Sequence, residues 1–150
     1  MRVVGFEWII FDIDGTLADI SHRLHYIKDV EKKDWDSFNI LMRFDEVKKD
    51  IKALYKLCYD SGYNIAIVTG RFNKYRTVTQ NWLWMNGIAF DELYMRPDGN
   101  FQSDNSIKEE IFNNHFSDRH IRFVVDDRDR VVEMWRSKGL TVLQCQKGDY

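Results

Sequence analysis

Cysteine, proline and long apolar runs are scarce in this 150-residue sequence, which has two cysteines and one proline. Cys58 and Cys145 stand far apart with no Cys-x-x-Cys spacing, so we expect reduced thiols in a cytoplasmic protein rather than a disulfide framework. The four histidines form no zinc pattern, and no apolar run reaches the length of a membrane-spanning helix. These absences predict a soluble protein that does not bind membranes.

A basic excess is also lacking, because 22 lysines and arginines face 24 aspartates and glutamates and the formal net charge is −2. Proteins that hold long nucleic acids through their phosphates usually carry a surplus of basic residues. Any nucleic-acid contact should therefore be short, with a strand end or a mononucleotide. The sequence has no Gly-x-x-x-x-Gly-Lys-Ser/Thr loop either, which excludes P-loop phosphate binding by these residues.

Short apolar segments do alternate with helical patterns along the chain, and the segments are apolar throughout rather than at every second residue. Such segments are typical of parallel strands buried on both faces. We therefore expect one α/β domain over residues 1–150, a three-layer, doubly wound parallel sheet with helices on both faces. Ligands of such sheets bind at the carboxyl edge. The predicted strands cover residues 6–11, 64–68, 93–95, 121–125 and 140–144.

One segment, residues 19–44, does not fit this alternation. It places polar, aromatic and basic residues between the first strand and the helix that should follow it. We expect a small helical cap insert that lies above the carboxyl edge of the sheet.

Acidic residues follow the first strand directly, in the sequence Asp12-Ile13-Asp14-Gly15-Thr16. Alternation along an extended chain would put both carboxylates on one face, and Gly-Thr would then turn the chain. Like charges held so close require a cation or a shared proton. A hard divalent metal bound through oxygen is the simplest solution.

Other polar residues stand at the ends of later strands. Thr69-Gly70-Arg71 follows the second strand and Asp126-Asp127-Arg128 the fourth, while Lys108 lies on the helix before the fourth strand. Together these residues offer carboxylates for a metal ion, and a hydroxyl and cations for phosphoryl oxygens. The combination predicts a site for Mg²⁺ and a phosphoryl group.

The Asp-x-Asp-Gly-Thr of residues 12–16, Thr69, Lys108 and the Asp126-Asp127 pair resemble, in the same order, the four motifs of the haloacid-dehalogenase (HAD) superfamily of phosphatases. The resemblance implies that Asp12 is the nucleophile and that Asp14 protonates the leaving oxygen and then activates water. Thr69 would donate a hydrogen bond to the phosphoryl group, and Lys108 would neutralise Asp12 and the phosphate. The implied Mg²⁺ ligands are Asp12, the backbone carbonyl of Asp14, and Asp126, with Asp127 binding directly or through water.

Further residues narrow the resemblance, namely Thr69-Gly70-Arg71, Met95-Arg96, Asp104 four positions before Lys108, and Asp126-Asp127-Arg128 followed by residues 131–136. With them, most of the chain resembles the phosphatase half of bacteriophage polynucleotide kinase. The resemblance implies that Arg23, Arg71 and Arg96 bind substrate and that Asp104 supports the site. It also implies removal of 3′-phosphates from polynucleotide ends or nucleotides, with kinase or ligase activity supplied by a separate partner. The segment after Arg71 is shorter here and residues 19–44 are enlarged, so access of the substrate is expected to differ.

Three alternatives stay open at this stage. A nucleotidase for free nucleoside monophosphates would suit the near-neutral charge. A receiver-like signalling module uses similar residues, but it places its acidic pair on the first strand and its phosphoacceptor on the third, unlike this order. Within the insert, Trp35 and Phe38 either stack on a nucleobase or form a small core.

Overall fold

The structure is a computed structural model that describes residues 5–150. Five strands form a parallel sheet in the spatial order β5 (Glu92–Arg96), β4 (Asn64–Phe72), β1 (Trp8–Phe11), β6 (Ile121–Arg128) and β7 (Val142–Gly148), so that β1 pairs with β4 and β6 at its centre. The predicted α/β fold is therefore confirmed. Two further strands, β2 (Ala18–Asp19) and β3 (Glu46–Val47), form a separate short pair. The helices are α1 (Trp35–Ile40), α2 (Lys49–Asp60), α3 (Arg76–Met85), α4 (Asp104–His115) and α5 (Asp129–Ser137).

Two apolar cores lie on the two faces of this sheet. Side chains alternate along β1, so Ile9 and Phe11 pack in the core that α2 and α3 cover. Ile10 points the other way, into the core formed with α4 and α5. All three side chains are buried, which explains why the sequence of β1 is apolar throughout. Within residues 5–150 no helix is long and apolar enough to cross a membrane.

The central strands run further than their apolar sequences indicate. β4 continues through Thr69-Gly70-Arg71 to Phe72, and β6 continues through Asp126 and Asp127 to Arg128. The pairing register shifts between Val68 and Phe72 and again between Asp126 and Arg128. The predicted strands ended where apolarity ended, whereas backbone pairing extends into the polar residues. These polar residues are thus held by the sheet itself. The predicted strands 6–11 and 140–144 are shifted too, since β1 begins at Trp8 and β7 covers Val142–Gly148.

The segment between β1 and α2 contains α1 and two 3₁₀ turns, Leu24–Tyr26 and Met42–Phe44. At the two ends of this segment the short strands β2 and β3 pair with each other in antiparallel fashion. Phe38 is buried, with the guanidinium of Arg23 4.1 Å from its ring centroid. The stacking alternative is therefore wrong for Phe38, whose ring packs inside the insert. Trp35 remains 46% exposed.

Candidate active site

Asp12 and Asp14 lie on a tight turn at the carboxyl end of β1. The backbone N–H of Asp12 still donates to the carbonyl of Val125, 3.0 Å away, so Asp12 continues the pairing with β6. Gly15 then takes a positive φ of 83°. A Cβ there would overlap the carboxylate of Asp127 and crowd the hydroxyl of Tyr150. Glycine thus lets the turn approach the end of β6.

A first cluster of charges forms around Lys108. Its Nζ donates to Oδ1 of Asp12 at 2.8 Å and to Oδ2 of Asp126 at 3.0 Å. Carboxylate oxygens of Asp12, Asp126 and Asp127 lie within 4.8 Å of one another. Lys108 is 1% exposed, so this cluster is shielded from water. The structure thus brings together residues from three separate predicted motifs.

The electrostatics of this cluster favour an additional cation. Burial and the charge of Asp126 raise the pKa of Asp12 well above its usual range, and the same two causes raise the pKa of Asp127. Burial opposes the charge of Lys108, but the carboxylates of Asp12 and Asp126 outweigh it and raise the pKa of the ammonium. Three ionised carboxylates against one ammonium leave two negative charges, which is the charge a divalent cation would balance. The oxygen-only donor set fits Mg²⁺.

Neighbouring side chains fix the orientation of each carboxylate. The hydroxyl of Thr16 donates to Oδ2 of Asp12 at 3.1 Å, and the indole N–H of Trp135 donates to Oδ2 of Asp126 at 3.2 Å. The hydroxyl of Tyr150 lies 2.9 Å from Oδ2 of Asp127 and 3.2 Å from the backbone carbonyl of Asp14. The sequence did not predict these two contacts, because the periodicity of α5 marks Trp135 as a core residue and Tyr150 stands 23 positions from Asp127.

A second cluster forms around the carboxylate of Asp14. Arg71 donates to it through Nε at 3.1 Å and Nη2 at 2.7 Å, and Arg23 donates through Nη2 at 2.7 Å. Burial would raise the pKa of Asp14, but these two guanidiniums together outweigh it and hold the pKa well below its usual range. The arrangement therefore favours the ionised form of Asp14, which is the form that accepts a proton.

Asp45 completes this second cluster, and sequence reasoning did not single it out. Its carboxylate accepts from Nε of Arg23 at 2.7 Å and Nη2 of Arg23 at 2.6 Å, and Nη2 of Arg71 lies 3.3 Å away. Nε2 of His22 contacts the same carboxylate at 2.7 Å. Two carboxylates thus balance two guanidiniums inside the protein. In the sequence Asp45 looks like one of many acidic residues, and only the folded insert brings it to Arg23.

Thr69 is fully buried beside this cluster. Its Oγ1 accepts a hydrogen bond from the backbone N–H of Arg71 at 3.2 Å. This hydrogen bond holds the hydroxyl of Thr69 in place at the end of β4. Because its oxygen already accepts a hydrogen bond, the hydroxyl is well placed to donate its hydrogen to another group. This geometry agrees with a donor to a phosphoryl oxygen.

Arg96 and Asp104 lie next to Lys108 and to the end of β4. Oδ2 of Asp104 is 3.7 Å from Nζ of Lys108 and 3.5 Å from Nη1 of Arg128, and Oδ1 is 3.6 Å from Nη2 of Arg96. Nε of Arg96 donates to the carbonyl of Gly70 at 2.8 Å. These contacts agree with a supporting position for Asp104. The guanidinium of Arg96 is occupied by contacts with protein groups. Its predicted contact with substrate therefore stays a prediction.

Two relatives match most of the chain. One is a predicted bifunctional polynucleotide kinase/RNA ligase of Autographa californica nuclear polyhedrosis virus, 29% identical over 133 residues. The other is a chain of the Pnkp1/Rnl/Hen1 RNA repair complex, with 29% identity and a TM-score of 0.82. The matches cover 85% and 96% of this chain but 17% and 43% of those relatives, so this chain spans less than half of their length.

More distant structures share the fold alone. A predicted phosphatase from Clostridium acetobutylicum superposes with a TM-score of 0.64 at 18% identity, covering 93% of this chain and 84% of the other. Residues 7–150 match the family described as the polynucleotide kinase PNKP phosphatase domain. That match spans nearly the whole chain and confirms the resemblance drawn from the motifs. The chain is a HAD phosphatase and belongs to the family of PNKP phosphatase domains.

Proposed function

We propose that this phosphatase removes 3′-phosphates from polynucleotide ends, that it requires Mg²⁺, and that it acts through a phosphoaspartyl intermediate on Asp12. The observation that carries the proposal is the buried carboxylate of Asp12, held by Lys108 and Thr16 beside Asp126 and Asp127. A carboxylate so placed is oriented as a nucleophile and lies among charges that stabilise an incoming phosphate.

Asp12, Asp126 and Asp127, with the backbone carbonyl of Asp14, would hold the Mg²⁺. When bound, the ion would supply positive charge that keeps Asp12 ionised and stabilises phosphoryl oxygens. Lys108 contributes a second cation, 2.8 Å from Asp12. The hydroxyl of Thr69 would donate a hydrogen bond to a phosphoryl oxygen. All of these groups are fixed by the sheet ends or by α4, so little rearrangement is needed during reaction.

The chemistry proceeds in two displacements. In the first, an oxygen of Asp12 bonds to phosphorus while the bond from phosphorus to the 3′ oxygen breaks, and Asp14 gives that oxygen a proton. In the second, Asp14 takes a proton from water, the water oxygen bonds to phosphorus, and Asp12 leaves as a carboxylate. Asp14 ends protonated, as it began. In this structure Arg23 and Arg71 favour the ionised form of Asp14. A bound phosphate would draw on the same two guanidiniums, and Asp14 could then carry the proton that the first displacement needs.

The family and the relatives support a polynucleotide end as substrate. The viral relative carries kinase and ligase in its name, and the second relative belongs to an RNA repair complex. A 3′-hydroxyl is the end that a ligase joins, so a kinase or ligase acting on the same ends is the proposed partner.

The cysteines and the net charge bear on where the protein acts and on the size of its substrate. Both cysteines are free thiols, which suits the reducing cytoplasm. The net charge of −2 favours contact with only the last nucleotides, and it keeps a mononucleotide substrate as the second candidate.

A substrate panel tests this proposal. The full chain with Mg²⁺ is given one single-stranded oligonucleotide carrying either a 3′- or a 5′-phosphate, the 3′- and 5′-mononucleotides, and an aryl phosphate. We expect kcat/KM for the 3′-phosphorylated oligonucleotide to exceed that for the 5′ form by about 100-fold or more. EDTA should abolish release and Mg²⁺ restore it.

Equal turnover of the two oligonucleotides would contradict end specificity. Faster turnover of a mononucleotide than of the oligonucleotide would make the protein a nucleotidase. Release that continues undiminished in EDTA would contradict the metal requirement.

A further inference from the structure

A pair of aromatic rings, one half-buried and one exposed, lies at the same edge of the sheet as Asp12. Phe72 is the last residue of β4, and Phe101 lies in the loop that follows β5. Their ring centroids are 5.6 Å apart with an interplanar angle of 63°, so they meet edge to face. Phe101 is 84% exposed. Its ring therefore presents most of its surface to water next to a second aromatic ring.

Two cations accompany these rings. The guanidinium of Arg96, the pairing partner of Phe72 in β5, lies 5.3 Å from the ring centroid of Phe72. The ammonium of Lys74 lies 5.7 Å from the same centroid, on an exposed side chain. We call Phe72, Lys74, Arg96 and Phe101 the aromatic platform. Aromatic rings beside cations are the combination that binds single-stranded nucleic acids, through base stacking and phosphate contacts.

The loop is built so that Phe101 points outward. Nη1 of Arg96 donates to the carbonyl of Asn100 at 3.1 Å and to the carbonyl of Gln102 at 2.5 Å. The residues on both sides of Phe101 are therefore fixed by one guanidinium. The side chain of Asn100 also accepts from the backbone N–H of Gln102 at 3.1 Å. An isolated exposed apolar residue is common on protein surfaces, but this one is held in place.

A short chain of contacts connects the platform to the nucleophile. Nη2 of Arg96 lies 3.6 Å from Asp104, and Asp104 lies 3.7 Å from Nζ of Lys108. Lys108 in turn donates to Asp12 at 2.8 Å. Two residues, Asp104 and Lys108, thus connect Arg96 of the platform to Asp12 at the carboxyl edge of the sheet.

We propose that the aromatic platform binds the last nucleotides of a single-stranded polynucleotide, with Phe101 stacked on a base and Lys74 contacting a backbone phosphate. This inference rests on the proposed function and deepens it by placing the substrate strand on the β4–β5 side of the site. Any base can stack on an aromatic ring, so the platform would make the enzyme prefer oligonucleotides to mononucleotides without a preference for a particular base sequence. A platform this small also agrees with a chain that lacks a basic excess.

The test compares Phe101→Ala with the wild-type full chain in Mg²⁺. We expect KM for a 3′-phosphorylated oligonucleotide to rise about tenfold, with kcat nearly unchanged. The same variant should hydrolyse an aryl phosphate with unchanged kcat/KM. Phe101→Trp should restore the KM. The matched control is Phe6→Ala, which removes another exposed phenylalanine, 70% exposed, before the amino end of β1; it should change none of these values.

Fluorescence anisotropy with a labelled 3′-hydroxyl oligonucleotide separates this inference from the proposed function. We expect weaker binding to Phe101→Ala than to wild type, whether or not the wild type turns over 3′-phosphates. Weaker binding without any turnover of oligonucleotides would sustain the platform and overturn the proposed function. Turnover of oligonucleotides with the same KM and the same binding in both proteins would overturn the platform alone. An equal loss of activity on the aryl phosphate would also overturn it, because the substitution would then have disturbed the catalytic site.

Discussion

Replacement of Asp12 by Asn is expected to lower kcat for phosphate release by about a thousandfold or more. The amide of Asn keeps the shape of the side chain but is a poor nucleophile, so the first displacement is lost. Lys108 and Thr16 would keep their positions, because Lys108 also donates to Asp126 and Thr16 also donates to Asp127. The measurement is steady-state phosphate release from the best substrate of the panel at saturating Mg²⁺.

Folding of this variant is expected to survive. Burial and the neighbouring Asp126 disfavour the ionised form of Asp12, as its raised pKa indicates, so a neutral amide removes repulsion. The free energy of unfolding without Mg²⁺ should therefore stay within about 1 kcal/mol of wild type. Asp60→Asn, on the exposed end of α2, is the matched control and should retain full activity. Undiminished phosphate release in Asp12→Asn would show that another group attacks phosphorus.

Replacement of Asp45 by Asn is expected to lower the free energy of unfolding by about 3 kcal/mol. Arg23 is completely buried and donates to both oxygens of Asp45. An amide would offer one acceptor and turn an N–H towards the guanidinium, and it would leave the two arginines with one carboxylate. Denaturant unfolding at neutral pH measures the loss. Asp60→Asn breaks the exposed Lys56–Asp60 pair instead and should cost less than about 0.5 kcal/mol.

Activity should fall with this substitution as well, by about 10- to 100-fold in kcat/KM. Asp45 positions Arg23 and Arg71, and these two arginines hold the carboxylate of Asp14. A partial shift of either guanidinium would misplace the proton-transfer group. An Asp45→Asn protein as stable and as active as Asp60→Asn would show that the buried network contributes nothing to the site.

The sequence pointed to the members of the first cluster and, through the family resemblance, to Asp14, Arg23 and Arg71 of the second, but it did not point to Asp45. Asp12, Lys108 and Asp126 could be brought together because two follow apolar strands and the motif order supplied the third. Asp45 had no such signal, since it follows no strand that belongs to the sheet. Its partner Arg23 lies 22 positions away, on the other side of the insert. Contacts of this kind depend on how the insert packs, which local patterns do not determine.

The environments of the aromatic residues could not be predicted from local sequence patterns either. Phe38 and Trp35 stand three positions apart, yet one packs under Arg23 and the other remains half exposed. Phe101 drew no attention in the sequence, because a single phenylalanine in a loop has no periodicity to interpret. Its outward position depends on Arg96, which donates to the carbonyls of both neighbouring residues and lies on another element of the fold. The number of strands in the sheet and their order along the chain, by contrast, followed from apolar runs buried on both faces, although the ends of the strands did not.

The stereochemical course at phosphorus tests the role of Asp12 most directly. The wild-type protein is given a 3′-thiophosphate monoester made chiral with oxygen isotopes, and hydrolysis takes place in isotopically labelled water. Each in-line displacement inverts phosphorus, so attack by Asp12 followed by attack of water predicts overall retention of configuration. Overall inversion would mean that water attacks the substrate directly, and it would contradict a phosphoaspartyl intermediate on Asp12.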